Sequence, residues 1–218
     1  MLSLQESEPQ NYTHSVIKSI ILVMLLAGTD TSYITIEWAM SALLNHPDKM
    51  EKAREEIDRV IGTDRILNES DLTKLPYHQN IETFPLFPTA PLLVPHEAEA
   101  DCKIAGNDIT RGTIVHVNVW AIHRDPHVWD DPESFKPEWF EAMEPRAPQL
   151  LPFGIGRQSC PGNVLAQRIV GLTLGCRVQC FYWERVEEGL VDMIEGKVGV
   201  SISKQVPLEA GADAEIYY

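Results

Sequence analysis

From about His14 to Asn45 the chain contains no proline, and its apolar residues recur at helical spacing. This predicts one long helix, ended where His46 precedes Pro47, because a residue before proline is disfavoured in helical conformation. Asp48 to Ile61 repeats the helical period with acidic and basic residues interleaved, and Gly62 closes it. A short helix is expected through Asp71 to Leu75, with a further segment from Tyr77, while the polar first ten residues predict a frayed end. Near the other terminus, an apolar stretch from about Asn163 to Tyr182 predicts another long helix.

Strand signals are few and short. Between Pro85 and Pro95, four prolines in eleven residues give an extended path. After it, Asp101 to Ile104 and Thr113 to Val119 predict strands around an Ala105-Gly106-Asn107 turn. Asp125 to Gln149 has five prolines and four aromatics without clean periodicity, as in a long packed meander. Val198 to Ser203 with Val206 to Leu208 suggests a small C-terminal hairpin. The fold class is therefore mainly α with small β-sheets, and no internal repeat divides residues 1–218.

Composition narrows the functions. With 218 residues and 44% hydrophobic content the chain is globular rather than disordered. Eighteen basic against thirty-two acidic residues give a formal charge of −14, which argues against nucleic acid as a partner. The four cysteines have no secreted-domain spacing, so a reducing compartment is expected. The Asn11 and Asn68 sequons then carry little weight. The uninterrupted apolar run Ile20 to Gly28 is too short to span a bilayer, so no membrane anchor is expected in this chain.

The chemistry centres on Phe153-Gly154-Ile155-Gly156-Arg157-Gln158-Ser159-Cys160-Pro161-Gly162. Glycines here permit φ > 0 and close approach to a flat macrocycle, while successive N–H groups in such a turn can converge on a sulfur and favour its anion. Pro161 suits the first turn of the following helix, whose positive end would face Cys160. The plainer alternative is a structural cysteine in a glycine-rich turn. A second signal is Ala27-Gly28-Thr29-Asp30-Thr31 inside the long helix. Glycine weakens the helix there, and a threonine hydroxyl can bond the carbonyl four residues back and open a groove. Three decoys fail. His123-Arg124-Asp125 lacks the rest of a kinase signature, Gly154-Ile155-Gly156 lacks a third glycine and a βαβ unit, and Cys176 with Cys180 suits core packing better than a metal pair.

The cysteine loop resembles the heme-binding signature of the cytochrome P450 family, the heme-thiolate monooxygenases. The likeness runs from about Leu4 to the neighbourhood of Ala210, and runs such as Leu26 to Ser32 and Trp120 to Pro126 are similar to plant microsomal members acting on phenolic and other specialised metabolites. The resemblance implies the C-terminal part of that fold, from the long central helix to a C-terminal hairpin, with its N-terminal part absent. It implies heme b with Cys160 as axial iron ligand, framed by Phe153, Gly154, Gly156, Arg157 and Gly162, and with His96 near a propionate. Asp30 and Thr31 would relay protons to dioxygen. Ala27, Ala90, Leu92, Leu93 and Val94 would line the pocket of a small hydrophobic organic substrate, although Ala90 to Pro95 equally suits a core strand. Val198, Gly199, Val200 and Ile202 are weaker pocket candidates. The family implies an NADPH-dependent reductase and the cytosolic face of the endoplasmic reticulum membrane, whereas this chain without an anchor is expected in the cytoplasm.

The sequence also departs from the family pattern. Where a Glu-x-x-Arg pair is usual the chain has Glu82-Thr83-Phe84-Pro85, and where the meander has Pro-Glu-Arg-Phe it has Pro137-Glu138-Trp139-Phe140. Gln158 stands where an arginine usually neutralises a propionate. Loss of partners from a buried ion network costs roughly 3–5 kcal/mol. A competing expectation follows: a truncated or degenerate, non-catalytic chain that folds poorly and does not retain heme.

Overall fold

Thr13 opens the longest helix of the molecule. Its hydroxyl accepts from Val16 N at 3.3 Å, capping α2, which runs unbroken from His14 to Asn45. The computed structural model describes residues 2–82, 86–140, 150–196 and 199–214. Ahead of α2 a short helix α1 (Leu2–Ser7) forms where the polar composition predicted a frayed end. Helix α3 (Pro47–Ile61) begins with proline in its first turn and ends at Gly62, whose φ of 82° is open to glycine. A 3₁₀ turn (Glu69–Lys74) and α4 (Pro76–Glu82) follow. The last helices are the short α5 (Val119–Ile122) and the long α6 (Asn163–Cys180).

The core lies where the C-terminal half of α2 meets α3, α4 and α6. Ala39, Leu43, Ala53, Ile57, Leu75, Leu174 and Val178 are fully buried there. Buried polar groups in this layer are matched to backbone. The Glu56 carboxylate accepts from Tyr77 N at 3.0 Å and His78 N at 2.8 Å, an acidic cap on α4 where the helix dipole favours negative charge. Gln179 accepts from Leu67 N at 2.8 Å and donates to Arg65 O at 3.0 Å, closing the path between α3 and the 3₁₀ turn.

The sheets are small, antiparallel and two-stranded: β1 (His96–Glu97) with β4 (Ile114–Val115), β2 (Cys102–Ile104) with β3 (Asn107–Ile109), and β5 (Phe181–Arg185) with β6 (Ala210–Ala214). The expected Ala105-Gly106 turn exists, but the strand it returns is Asn107–Ile109, with Ile104 opposite Asn107. Ile114–Val115 instead pairs with His96–Glu97. The C-terminal hairpin also differs. Residues 194–196 pair with 203–205 through Gly196 N to Ser203 O (2.8 Å) and Gln205 N to Ile194 O (2.9 Å). Ala210–Ala214 then adds to Phe181–Arg185, a strand where the apolar pattern had predicted the end of a helix.

The apolar run counted as too short for a bilayer lies inside α2. As a whole that helix is long and apolar enough, by length and composition, to cross a membrane. Its C-terminal half is nevertheless committed to the protein core.

Candidate functional site

The sulfur sits at the end of a loop held by its own backbone. Cys160 N donates to Phe153 O at 2.9 Å and Ser159 N to Gly156 O at 3.2 Å, folding the segment onto itself. Gly154 and Gly156 have φ of 67° and 78°, the left-handed region that side chains with a Cβ rarely adopt. A Cβ on Gly162 would lie 3.8 Å from Cys160 Sγ, so glycine leaves the sulfur's flank open. Gly162 caps α6, and Pro161 stands just before that cap rather than in the first turn of the helix. The first turn of α6 still begins beside the cysteine, with Asn163 N donating to Cys160 O at 3.4 Å. Cys160 is a free, exposed thiol, and Arg157 is exposed as well.

Above the loop runs the segment from Ala90 to Val94. Leu93 turns back through its N–H to Ala90 O at 3.1 Å and has φ 51°, a conformation costing a leucine about 1–2 kcal/mol. That turn seats its side chain on the cysteine loop, because Leu93 Cδ1 lies 3.5 Å from where a Cβ on Gly154 would be. Leu92 and Val94 are exposed, and Ala90 is half-buried. His96, on β1, bonds through Nδ1 to Gln158 Oε1, so strand and loop are tied across the position expected to face a propionate.

The groove candidate lies on α2. Thr31 Oγ1 donates to Ala27 O at 2.7 Å, Ser32 Oγ to Gly28 O at 2.7 Å and Thr35 Oγ1 to Thr31 O at 2.8 Å. Three hydroxyls within five residues thus compete for the carbonyls of Ala27, Gly28 and Thr31, while the helix stays continuous. The helix has no break at the expected groove. Ala27, Gly28 and Asp30 are exposed, and no atom lies within 4 Å of a Cβ built on Gly28. Asp30 accepts from Ser201 Oγ at 2.8 Å. Among the described residues no hydrogen bond joins Cys160 to Asp30 or Thr31. A surface cleft of about 350 Å³ lined by Leu43, Leu44, Met50 and Trp183 sits toward the other end of α2 and contains none of these groups.

Several supporting residues carried no sequence signal for their roles. Buried His123, dismissed above with its kinase-like neighbours, accepts from Leu151 N at 3.0 Å through Nε2 and so holds the approach to the cysteine loop. Arg124 stacks on Trp120, bonds Leu86 O and faces Glu195 at 3.5 Å. Glu138 pairs with Lys49 at 2.9 Å and Lys52 at 3.1 Å and anchors the meander turn (Pro137–Phe140) to α3. Burial raises the Glu138 pKa, but the hydrogen bonds from Lys49, its own backbone and Lys52 outweigh this and bring it to about 2. The altered run Thr83-Phe84-Pro85 and Val198 lie outside the described residues, as do the side chains of Glu82 and Trp139.

The family model for cytochrome P450 matches residues 1–209, and the chain belongs to the cytochrome P450 family. It is 58% identical over 212 residues to cytochrome P450 81Q32 of Catharanthus roseus, covering 96% of this chain and 42% of that protein. An isoflavone 3'-hydroxylase of Medicago truncatula is 52% identical over the same shares. Among solved structures, a zebra fish cytochrome P450 with progesterone superposes with a TM-score of 0.80 at 32% identity, over 88% of this chain and 44% of that one. The chain thus spans about two fifths of the length of the curated relatives it matches. The likeness is to plant members of the family, and the family implies a heme-iron cofactor.

The local chemistry fits that group. Heme needs a soft anionic ligand on an unobstructed side, and Cys160 offers a free sulfur beside glycines that leave its flank open. Within the cysteine loop Gln158 is a poor match, because it carries no charge and is already bonded to His96.

Proposed function

We propose that this chain carries the cysteine-ligand and oxygen-handling half of a plant heme-thiolate monooxygenase that hydroxylates a small hydrophobic aromatic or phenolic metabolite. The balanced reaction is R–H + O2 + NADPH + H⁺ → R–OH + H2O + NADP⁺, with the electrons delivered through an NADPH-dependent reductase. The observation that carries this reading is the exposed Cys160 sulfur in a loop whose glycines adopt positive φ and whose backbone closes on Phe153. Similarity to an isoflavone hydroxylase supports the aromatic substrate class.

Heme b, when bound, would supply the reduction and cleavage of dioxygen, and Cys160 is the residue that would hold its iron. The chain's own residues do the rest. Phe153, Gly154, Gly156 and Gly162 keep the sulfur at the mouth of the loop, and the start of α6 favours its anionic form. Arg157 and His96 supply the polar groups available to propionates. Asp30 and Thr31 hold and pass protons at the groove beside Gly28, the step that decides whether oxygen ends in product or leaves reduced. Leu92, Leu93 and Val94, with Ala27 and Ala90, present the apolar wall against which the substrate lies.

The second reading is a chain that has kept the ligand but holds heme weakly. Gln158 favours it, because the group that should offset a propionate charge is neutral and engaged by His96. One reconstitution separates the two. Heme is added, the sample reduced and exposed to carbon monoxide. The monooxygenase reading expects the red-shifted Soret band of thiolate ligation, lost in Cys160→Ser. A parent chain with no such band sinks that reading and leaves the second.

A further inference from the structure

Asp30 occupies an exposed face of α2, where an aspartate side chain has several accessible rotamers. In this structure its carboxylate is met from outside its own helix, by Ser201 Oγ at 2.8 Å across 171 positions of sequence. The serine is itself placed by its neighbours. Ile202 O accepts from Trp38 Nε1 at 3.1 Å, and Ile202 N donates to Thr89 O at 3.0 Å. Thr89 Oγ1 in turn lies 2.9 Å from Thr35 Oγ1. Two residues further on, Lys204 Nζ donates to Ser41 Oγ at 2.9 Å. The C-terminal turn is therefore stitched along one side of α2 at Asp30, Trp38 and Ser41, and through Thr89 to the segment that leads into Ala90 to Val94.

We propose that Ser201 is a positioning residue for Asp30: its hydroxyl fixes the carboxylate's orientation beside Thr31 and ties proton delivery to the turn that borders the substrate segment. This rests on the monooxygenase reading above. Trp38 is fully buried and anchors the turn through Ile202, so loss of Ser201 leaves the turn in place and loosens it only locally. The serine's exposed hydrogen bond adds little to stability. What it determines is where a proton donor points. Each turnover takes two electrons and two protons. Protons delivered in time would let one oxygen atom leave as water and the other enter the substrate. Otherwise the same two electrons and two protons leave with dioxygen as hydrogen peroxide. Ser201 therefore acts on the division between product and peroxide rather than on heme binding.

The test uses the full chain loaded with heme and supplied with the reductase and NADPH, as Ser201→Ala, Ser201→Thr, Asp30→Asn and the Ser201→Ala/Asp30→Asn double variant. The carbon monoxide spectrum is recorded first. A parent chain without the thiolate band defeats the monooxygenase reading itself, a result distinct from those that follow. With the band intact, Ser201→Ala is expected to raise peroxide per NADPH about fivefold, the scale of one lost side-chain hydrogen bond. Ser201→Thr should restore the parent ratio, and the double variant should equal Asp30→Asn alone. Amide hydrogen exchange of residues 199–202 should quicken in Ser201→Ala, which removes the donor of that bond, and return to the parent rate in Ser201→Thr. An unchanged peroxide fraction in Ser201→Ala, additive effects in the double variant, or exchange indifferent to Ser201→Ala would each overturn the proposal.

Discussion

His96 and Gln158 satisfy each other where a charged group would serve a heme carboxylate better. With Nδ1 of the imidazole donating to the amide oxygen, the side chains link β1 to the cysteine loop. A permanent guanidinium presents a planar fork of donors and forms the stronger, charge-assisted bond. Gln158→Arg is therefore expected to slow heme loss roughly tenfold, a difference of about 1.4 kcal/mol. The rate of heme transfer to an excess of an apo-globin scavenger measures it. An unchanged rate would mean that position 158 does not face a propionate. The identity of residue 158 was legible in the sequence. Its engagement by a histidine 62 positions away was not, because that bond depends on how the short strand β1 docks.

Among the elements, α4 and α6 meet in the core through a buried histidine. His78 is fully buried on α4, and its Nε2 bonds Gly171 O of α6 at 2.8 Å; burial pushes its pKa down, so the imidazole stays neutral. One turn further along α6 sits Gly175. A Cβ there would overlap Leu67 Cδ2 and come within 3.2 Å of His78 Nε2. Leu67 can give way, but the ring is held by its bond to the helix it faces. Gly175→Ala should gain helix propensity and still destabilise by about 1–3 kcal/mol, because overpacking a filled core outweighs the gain. Urea unfolding followed by circular dichroism reads the difference, and a stabilised variant would show that the helices can move apart. Long elements were legible because each repeats a period over many residues: α2, α3 and α6 begin and end within a few residues of their sequence signals. The strands were not. β6 is Ala-Gly-Ala-Asp-Ala, a composition with weak strand preference, and it pairs with β5 only because α6 delivers Phe181–Arg185 alongside it. Sequence gave β4 the right location and the wrong partner for the same reason. Two-residue strands acquire their neighbours from tertiary packing.

For the whole molecule, the decisive property is the contrast between the two halves of α2. From Ile34 to Leu44 the helix is core: Trp38 is 1% exposed and Leu43 0%. From Ile21 to Leu26 it is apolar in every direction and open to solvent, with Leu22 at 57%, Val23 at 62% and Leu25 at 63% exposure. Six consecutive apolar residues spread over all sides of a helix, since 3.6 residues complete a turn. A helix apolar all round is stable only when surrounded. No single flat contact covers it, so association through this region has no geometric reason to stop at a dimer. Val164, Leu165 and Ile169 add an apolar exposed face at the start of α6, and exposed apolar surface of this kind drives association. Chains of this sequence alone are therefore expected to self-associate into species larger than a dimer at micromolar concentration. The formal charge of −14 will slow this at low salt and permit it as screening increases. Light scattering across a salt series follows the effect, with Leu22→Lys/Leu25→Lys as the comparison. Both substitutions fall on solvent-exposed positions of α2, so they should lower the mass of the assemblies while leaving the helical circular dichroism signal intact. A parent chain that stays monomeric at high salt and melts in one cooperative transition would show that the exposed half of α2 tolerates water, and that the well-packed half anchored by Trp38 is enough to hold the fold.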